Sequence, residues 1–274
     1  MLQDEGIHLR SLTYTSPRNA PDEFPFNVAI IQSLTRLDFQ SPVTFFVGDN
    51  GCGKSTLLEG LACAVGSITV GAESVDIDQT LSALRPLAQA FKLVWTKRTR
   101  RGFFMRSEDF FGYARKMSAI RADLKQTLEE TEKEYEHKSP TARLYARAAY
   151  ANELGAMRRD YGENLDARSH GESYLKLFQA RFVPQGLYLL DEPEAPLSPL
   201  RQLSFLAMLK TMVDQQAQFI IATHSPIILA YPGAAILSFD QGQIKPARYE
   251  ELEHVALTRS FLEDPQRYLR HLME

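Results

Sequence analysis

A glycine-rich segment with a lysine and two hydroxyl residues is the part of the sequence whose residue types most directly indicate chemistry. It reads Gly48-Asp-Asn-Gly-Cys-Gly-Lys-Ser-Thr56 and fits the pattern G-x-x-x-x-G-K-[ST]. Glycines let the backbone curl so that N–H groups converge on phosphate oxygens, and a following helix adds partial positive charge. An ordinary glycine-rich turn is the alternative. The residues predicted to contact phosphate are Gly48, Asn50, Gly51, Cys52, Gly53, Lys54, Ser55 and Thr56.

An acidic pair follows an apolar run in Leu187-Tyr-Leu-Leu-Asp-Glu192. A strand here would deliver Asp191 to a Mg²⁺ ion that Ser55 also reaches, with Glu192 beside the terminal phosphate. A carboxylate that polarises an attacking water typically contributes about 10²–10⁴-fold in rate. Such a pair is by itself often a solvated strand end. Its place after the glycine-rich loop favours the functional interpretation.

Two further segments carry polar residues at the ends of predicted elements. His224 follows the apolar run Phe219–Ala222 and lies 33 residues beyond Asp191. A single histidine at a strand end is more often structural, but the neighbouring phosphate-binding pattern favours a functional interpretation. Arg168-Ser-His-Gly-Glu-Ser173 precedes a predicted helix, Ser173–Phe182, whose first N–H groups would face an anion. A plain N-cap is the alternative there.

Together these segments resemble the ABC ATPase family, in particular stand-alone soluble bacterial members related to RecF-like and SMC-like ATPase heads. The resemblance covers nearly the whole chain and implies ATP and Mg²⁺ as cofactors. It implies a homodimer with two ATP molecules between the subunits, each also contacted by the partner's signature segment. The roles it implies are catalytic for Lys54, Glu192 and His224, Mg²⁺ binding for Ser55 and Asp191, and nucleotide contact across the dimer for Ser169, Gly171 and Glu172.

The sequence departs from the family pattern at three places. The signature, normally Leu-Ser-Gly-Gly-Gln, matches only at Ser169 and Gly171. Ser198 stands where the D-loop usually ends in aspartate, and it also suits the N-cap of the next helix. The Q-loop glutamine is missing, and Glu108 is the candidate replacement as a metal ligand. A carboxylate that merely starts a helix is an equal alternative for Glu108.

The elements that must position these residues alternate between strand and helix. Apolar runs at Pro42–Val47, Leu187–Leu190 and Phe219–Ala222 predict buried strands, and helices are predicted from Ser55 and Pro199. The pattern predicts an α/β fold, and the resemblance implies that it is a P-loop NTPase of the ABC ATPase type. A mostly parallel sheet is flanked by helices, with an antiparallel β portion that includes Ala235–Phe239 and Ile244.

The middle of the chain predicts a helical insertion. From Ala114 to Lys138 apolar residues recur at steps of three and four, and Ser139-Pro140 starts a second helix that runs to about Tyr161. We expect one ATPase domain over residues 1–274, with a catalytic core at 1–112 and 169–274 and a compact helical lobe at 113–168.

Composition and charge limit the binding partners and the cellular location that can be expected. A net charge of −3 indicates no global affinity for nucleic acid, and the two cysteines, Cys52 and Cys63, suit a reducing cytoplasm. No secretory signal is visible, and the apolar runs are too short to span a bilayer, so a cytoplasmic location is expected. One dense basic cluster contains Lys97, Arg98, Arg100, Arg101 and Arg106, flanked by Trp95, Phe103 and Phe104.

Three uses of an ATP switch compete. The basic cluster favours an ATPase that acts on nucleic acid, in DNA repair or defence, through Lys97, Arg98, Arg100 and Arg101. The alternative for this cluster is a solvated hairpin tip whose aromatic residues point into the core. The ATP-binding subunit of a membrane transporter is the second use, against which the variant signature and missing Q-loop glutamine argue. An ATP-gated module that captures an unidentified protein partner is the third.

Overall fold

Two β-sheets and ten α-helices make up the chain in the computed structural model, which describes residues 6–18, 21–70, 75, 78–161 and 170–272. The strands are β1 (Leu9–Tyr14), β2 (Arg36–Asp38), β3 (Val43–Val47), β4 (Phe91–Trp95), β5 (Phe104–Arg106), β6 (Leu187–Asp191), β7 (Gln218–Ala222), β8 (Ala235–Ser238) and β9 (Lys245–Ala247). The helices are α1 (Ala29–Ser33), α2 (Lys54–Val65), α3 (Arg85–Gln89), α4 (Ser107–Glu134), α5 (Pro140–Tyr161), α6 (His170–Arg181), α7 (Pro199–Asp214), α8 (Pro226–Leu229), α9 (Glu253–Glu263) and α10 (Pro265–Leu272).

The central sheet has six strands in the order β5-β6-β7-β3-β8-β9, all parallel except β9. Because successive side chains of a strand point to opposite faces, β3 places Phe45 in one apolar cluster and Phe46 in the other. Both rings are fully buried. A strand buried on both faces is expected to be nearly continuously apolar, and Thr44 is the one polar residue of β3. The predicted mostly parallel, helix-covered sheet is confirmed.

A separate antiparallel sheet, in the order β2-β1-β4, packs beside α2. A buried glutamine ties it to the central sheet. Oε1 of Gln218 accepts the backbone N–H groups of His8 and Leu9 at 2.9 and 2.8 Å, and its Nε2 donates to the carbonyl of Leu9 at 2.9 Å. All polar atoms of this amide are therefore satisfied where β1 meets β7.

The predicted helical insertion is a hairpin of α4 and α5, which pack against each other and carry an ion pair between Glu132 and Arg147 at 3.1 Å. Its first helix begins at Ser107, earlier than the predicted Ala114. The cause is a cap: Oδ2 of Asp109 accepts the backbone N–H of Arg106 at 2.9 Å, which satisfies a donor at the helix start. Residues 162–168 of the predicted lobe lie outside the described residues.

The other predicted elements are present, with differences in the start of α6 and in one cap. Helix α7 begins at Pro199 and α6 at His170, and β8 and β9 form the predicted antiparallel pair. Ser198 has the extended backbone of an N-cap, but its side chain makes no capping hydrogen bond. Proline at the first helical position has no N–H, and its fixed φ angle suits the first turn of a helix. Within the described ranges, none of the helices combines the length and hydrophobicity that a membrane span needs.

Candidate nucleotide site

The glycine-rich loop lies between the end of β3 and the start of α2, as the pattern requires. Gly48, Gly51 and Gly53 have φ angles of 140°, 79° and 101°, a region that other residues rarely adopt. At Gly53 a Cβ atom would also lie only 2.8 Å from Cγ1 of Val28. Backbone conformation and close approach therefore both require glycine at this position, directly before the first turn of α2.

Lys54 turns its ammonium group back into this loop. Its Nζ donates to the carbonyl oxygens of Gly48 and Asp49 at 2.7 and 2.9 Å and lies 3.7 Å from Sγ of Cys52. The residue is only 5% exposed. Ser55 and Thr56 follow in the first turn of α2, whose leading N–H groups have no partner inside a helix. The loop thus combines a held positive charge with backbone donors, which is the chemistry that binds an oligophosphate.

Asp191 ends β6, in register with Arg106 of β5 and Ala222 of β7. The side chain of Ser55 lies close enough to the carboxyl of Asp191 to lower its pKa. Burial raises the pKa of its carboxyl to about 6, against the opposing effects of Ser55 and Lys54. Its Oδ1 is buried with no hydrogen-bond partner in the part of the chain that the structure describes. A buried carboxylate oxygen without a partner beside a serine hydroxyl fits the oxygen ligands that Mg²⁺ prefers.

Glu192 and His224 meet beyond the ends of β6 and β7. Oε1 of Glu192 lies 3.8 Å from Nε2 of His224, and both side chains are partly exposed. The backbone of Glu192 has a φ of 48°, a strained conformation for a residue with a side chain. Burial lowers the pKa of His224, and the charge of Lys54 lowers it further, so the imidazole is neutral near pH 7. The pair offers a carboxylate base beside a neutral imidazole.

Glu194 is a partly buried site residue to which sequence reasoning assigned no role. Its Oε1 accepts two hydrogen bonds of 2.7 Å, from Oγ1 of Thr223 and from the backbone N–H of His224. Burial raises the pKa of this carboxyl, and those donors oppose the rise. Glu194 therefore holds the backbone that carries His224. In the sequence, the only hint of this role is that an acidic residue stands two positions after Glu192. Its contacts with Thr223 and His224, about 30 positions later, form only when the chain folds.

Arg106 occupies the place where the family's Q-loop was expected, at the end of β5. Its guanidinium lies 3.0–3.5 Å from the carboxylates of Asp109, Asp78, Glu59 and Glu108. The arginine side chain is 12% exposed, and we call these five side chains the Arg106 cluster. Burial raises the pKa of Glu59 to about 7 in spite of the nearby guanidinium.

The Arg106 cluster bears on the interpretation of two charged residues, Arg106 and Glu108. Arg106 is not part of an exposed basic patch, because carboxylates surround it. Glu108 was predicted to bind metal, and this stays a prediction: its side chain is 74% exposed and lies 3.5 Å from the guanidinium of Arg106. The first turn of α4 carries it outward, as the alternative interpretation of a helix-starting carboxylate predicts.

The rest of the basic cluster lies in the exposed connection between β4 and β5. Phe103 and Phe104 are buried in the two apolar clusters and cannot stack on bases. Their burial matches the hairpin-tip interpretation. The charges that remain on the surface are Lys97, Arg98, Arg100 and Arg101.

The predicted signature segment lies only partly within the described residues. Ser169 is outside them, whereas His170 begins α6 and Gly171 and Glu172 lie in its first turn. The helix begins three residues before the predicted Ser173. Its buried face, with Tyr174 and Phe178, packs into the same apolar cluster as β6. The segment thus opens a helix that the core holds.

Comparison with known proteins agrees with this fold and site. A family described as an AAA domain matches residues 26–85, which include the glycine-rich loop. The cobalt import ATP-binding protein CbiO of Salmonella typhimurium is 25% identical over 250 residues, which cover 86% of this chain and 84% of the relative. The CbiO of Salmonella typhi is 26% identical over 240 residues, with 82% and 81% coverage.

The structure of cbiO1 from Clostridium perfringens, described as part of the ABC transporter complex cbiONQ, has the same fold. It superposes with a TM-score of 0.50 at 14% identity and covers 97% of this chain and 98% of that one. Fold, loop and similarities together define the class: the chain has the P-loop NTPase fold of ABC-type ATPases. It is an ATP-binding ATPase.

Proposed function

We propose that ATP is hydrolysed where the carboxyl ends of β3, β6 and β7 meet. The observation that carries this proposal is the convergence of Lys54, Asp191, Glu192 and His224 at one edge of the central sheet. Lys54 and the loop N–H groups bind the phosphates. Glu192 orients and deprotonates the attacking water, and His224 donates a hydrogen bond to the terminal phosphate. Glu194 acts through His224 by holding its backbone.

We infer that Ser55 and Asp191 hold Mg²⁺ together with phosphate oxygens of the nucleotide. The partnerless Oδ1 of Asp191 beside the Ser55 hydroxyl supports this assignment. When bound, the ion neutralises charge that develops on the phosphates during transfer. Glu108 has no part in this set, because its side chain points to solvent and pairs with Arg106.

We propose further that the active form is a homodimer with two ATP molecules between the subunits. The chain has a single glycine-rich loop and a single signature segment, Ser169–Glu172, so a second copy is needed to complete either site. The amides at the start of α6 would face the terminal phosphate bound by the other subunit. Hydrolysis then removes that shared phosphate and opens the dimer, which makes ATP a switch between two populations.

The substitution Ser169→Arg tests the shared site. A bulky cation at the start of α6 should block closure, so we expect the purified variant to lose ATPase activity while it still binds ATP in its own loop. Mixed with excess wild type, it should reduce activity below the amount expected from the wild-type fraction alone. The readouts are steady-state phosphate release and equilibrium binding of a fluorescent ATP analogue. Normal hydrolysis by the variant would rule out the sandwich arrangement.

For the partner, we propose a membrane protein that the closing dimer drives, as in an ATP-binding subunit of a transporter. The similarity to CbiO along most of both chains supports this assignment over a nucleic-acid role. The burial of Phe103, Phe104 and Arg106 supports it too, because it reduces the candidate nucleic-acid surface to four exposed cations. The Arg106 cluster in place of a Q-loop glutamine implies that contact with the partner differs in detail.

The partner is tested with the Glu192→Gln variant, which should hold the closed dimer. We expect ATP-dependent binding to detergent-solubilised membranes from the source cells, with one integral membrane protein enriched over the ATP-free control. In parallel, wild-type ATPase activity is measured with and without DNA and RNA. A nucleic-acid stimulation that weakens steeply with salt, and disappears when Lys97, Arg98, Arg100 and Arg101 are changed to glutamine, would replace the membrane partner by nucleic acid.

A further inference from the structure

A second histidine, His254, lies beside the hydrolytic site without any role in the mechanism above. It is in the first turn of α9, far along the chain from the strands that build the site. Its ring and that of His224 are 6.5 Å apart between centroids and inclined at 69°, an edge-to-face arrangement. Nε2 of each histidine is buried and has no hydrogen-bond partner among the residues that the structure describes.

Helix α9 is anchored so that His254 cannot drift from this position. Leu252 and Val255, on either side of it, are buried in the apolar cluster that also contains Ile228 of α8. Oη of Tyr249 donates to the carbonyl oxygen of Pro226 at 3.0 Å, and Pro226 begins the short helix directly after His224. The C-terminal helices and the His224 segment are therefore joined by packing and by a hydrogen bond.

The charges around the two imidazoles belong to the nucleotide site. Asp240, Asp49 and Lys54 are the charged groups that act on His254, and Lys54, Glu192 and Asp49 act on His224. Burial lowers the pKa of both histidines, so both rings are neutral near pH 7. A neutral imidazole carries one donor and one acceptor. Two such rings near Lys54, each with an Nε2 atom that makes no hydrogen bond among the described residues, offer polar groups to a phosphate oxygen or a water.

We propose that His254 is a positioning residue for ATP hydrolysis, which acts through His224. Its ring supports the imidazole of His224 edge-on, and its Nε2 supplies a hydrogen bond that orients His224 and the attacking water when ATP is bound. Because His254 is on α9, the same contact makes turnover depend on the placement of the C-terminal helices. The proposal rests on the ATPase activity and is independent of the identity of the partner.

The test compares His254→Phe with His254→Gln in steady-state ATPase assays. Phenylalanine keeps the ring and loses the nitrogen, whereas glutamine places an amide near the position of Nε2. We expect His254→Phe to lower kcat by roughly 10- to 100-fold, the scale of a misplaced reacting group, with KM for ATP and the melting temperature unchanged. His254→Gln should recover most of the lost kcat. His137→Phe, at an exposed site between α4 and α5, is the matched control and should behave as wild type.

A double-mutant cycle separates positioning from a general structural effect. In the His224→Ala background, His254→Phe should lower the remaining kcat by less than about twofold, because the group it positions is gone. Trapping by ADP–vanadate should weaken in His254→Phe by about the same factor as kcat, while ATP affinity is kept. Equal losses in both backgrounds, or a kcat that does not change, would overturn the proposal. If His254→Phe melts early, His254→Gln is compared with His254→Asn, whose shorter amide cannot reach the Nε2 position; equal kcat values would again overturn it.

Discussion

Replacing Glu192 by glutamine is expected to lower kcat for ATP hydrolysis by about 10²–10⁴-fold, the usual contribution of a general base. The amide has nearly the shape of the carboxylate but cannot accept the proton of the attacking water. Oε1 of Glu192 lies 3.8 Å from Nε2 of His224, so the substitution removes the carboxylate beside the imidazole that is proposed to contact the terminal phosphate. Affinity for ATP should be kept, because Lys54 and the glycine-rich loop are untouched. Phosphate release measures the first effect and equilibrium binding the second.

The same variant should accumulate as a dimer when ATP is present, because the shared phosphate is no longer removed. Sedimentation velocity with ATP and with ADP reads this directly. Glu153→Gln, an exposed change of the same chemistry on α5, serves as the control and should remain at wild-type rates. Undiminished hydrolysis by Glu192→Gln would show that another group is the base. Loss of hydrolysis without ATP-dependent dimerisation would support Glu192 as the general base and contradict the proposal that ATP controls dimer closure.

Replacing Arg106 by methionine is expected to lower the free energy of unfolding by about 3–5 kcal/mol, the usual cost of removing one partner from a buried ion pair. Its guanidinium lies 3.0–3.5 Å from four carboxylates, and those of Glu59, Asp78 and Asp109 are themselves largely buried. Without the arginine these carboxylates have no counter-charge at this position. Urea denaturation followed by circular dichroism measures the change.

The pair of Arg36 and Asp38 gives a matched control, since it joins the same residue types at 2.6 Å on the exposed surface. Arg36→Met should change stability little, because water screens an exposed pair. Adding Asp78→Asn to Arg106→Met should recover part of the loss, because one carboxylate that faced the guanidinium is then replaced by a neutral amide. If Arg106→Met lowers the free energy of unfolding no more than Arg36→Met does, the Arg106 cluster does not stabilise the start of α4.

Features that depend on neighbouring residues in the sequence were predictable, whereas features that depend on contacts between distant residues were not. The strands β3, β6 and β7 and the helix α2 were predictable because their apolar runs and the glycine pattern are local signals. The apolar periodicity shows α4 only from Ala114, and the helix start near Glu108 was one of two alternatives; the bond between Asp109 and the backbone of Arg106 that fixes the start at Ser107 is not visible in composition. Arg106 was wrongly included in the basic cluster. Its ion pairs with Glu59 of α2 and with Asp78 form only when the chain folds.

The sequence by itself determined the phosphate loop, Asp191, Glu192 and His224 as site candidates and the α/β order of elements, since each depends on residues close together in the chain. Tertiary structure decided which polar groups stand together. It placed the Glu194 carboxylate against the backbone N–H of His224, left the Glu108 side chain exposed and brought His254 of α9 beside the ring of His224. The physical reason is that pairing of parallel strands aligns their carboxyl ends, and core packing then brings distant helices to that edge. Contacts across such distances have no signature in spacing or composition.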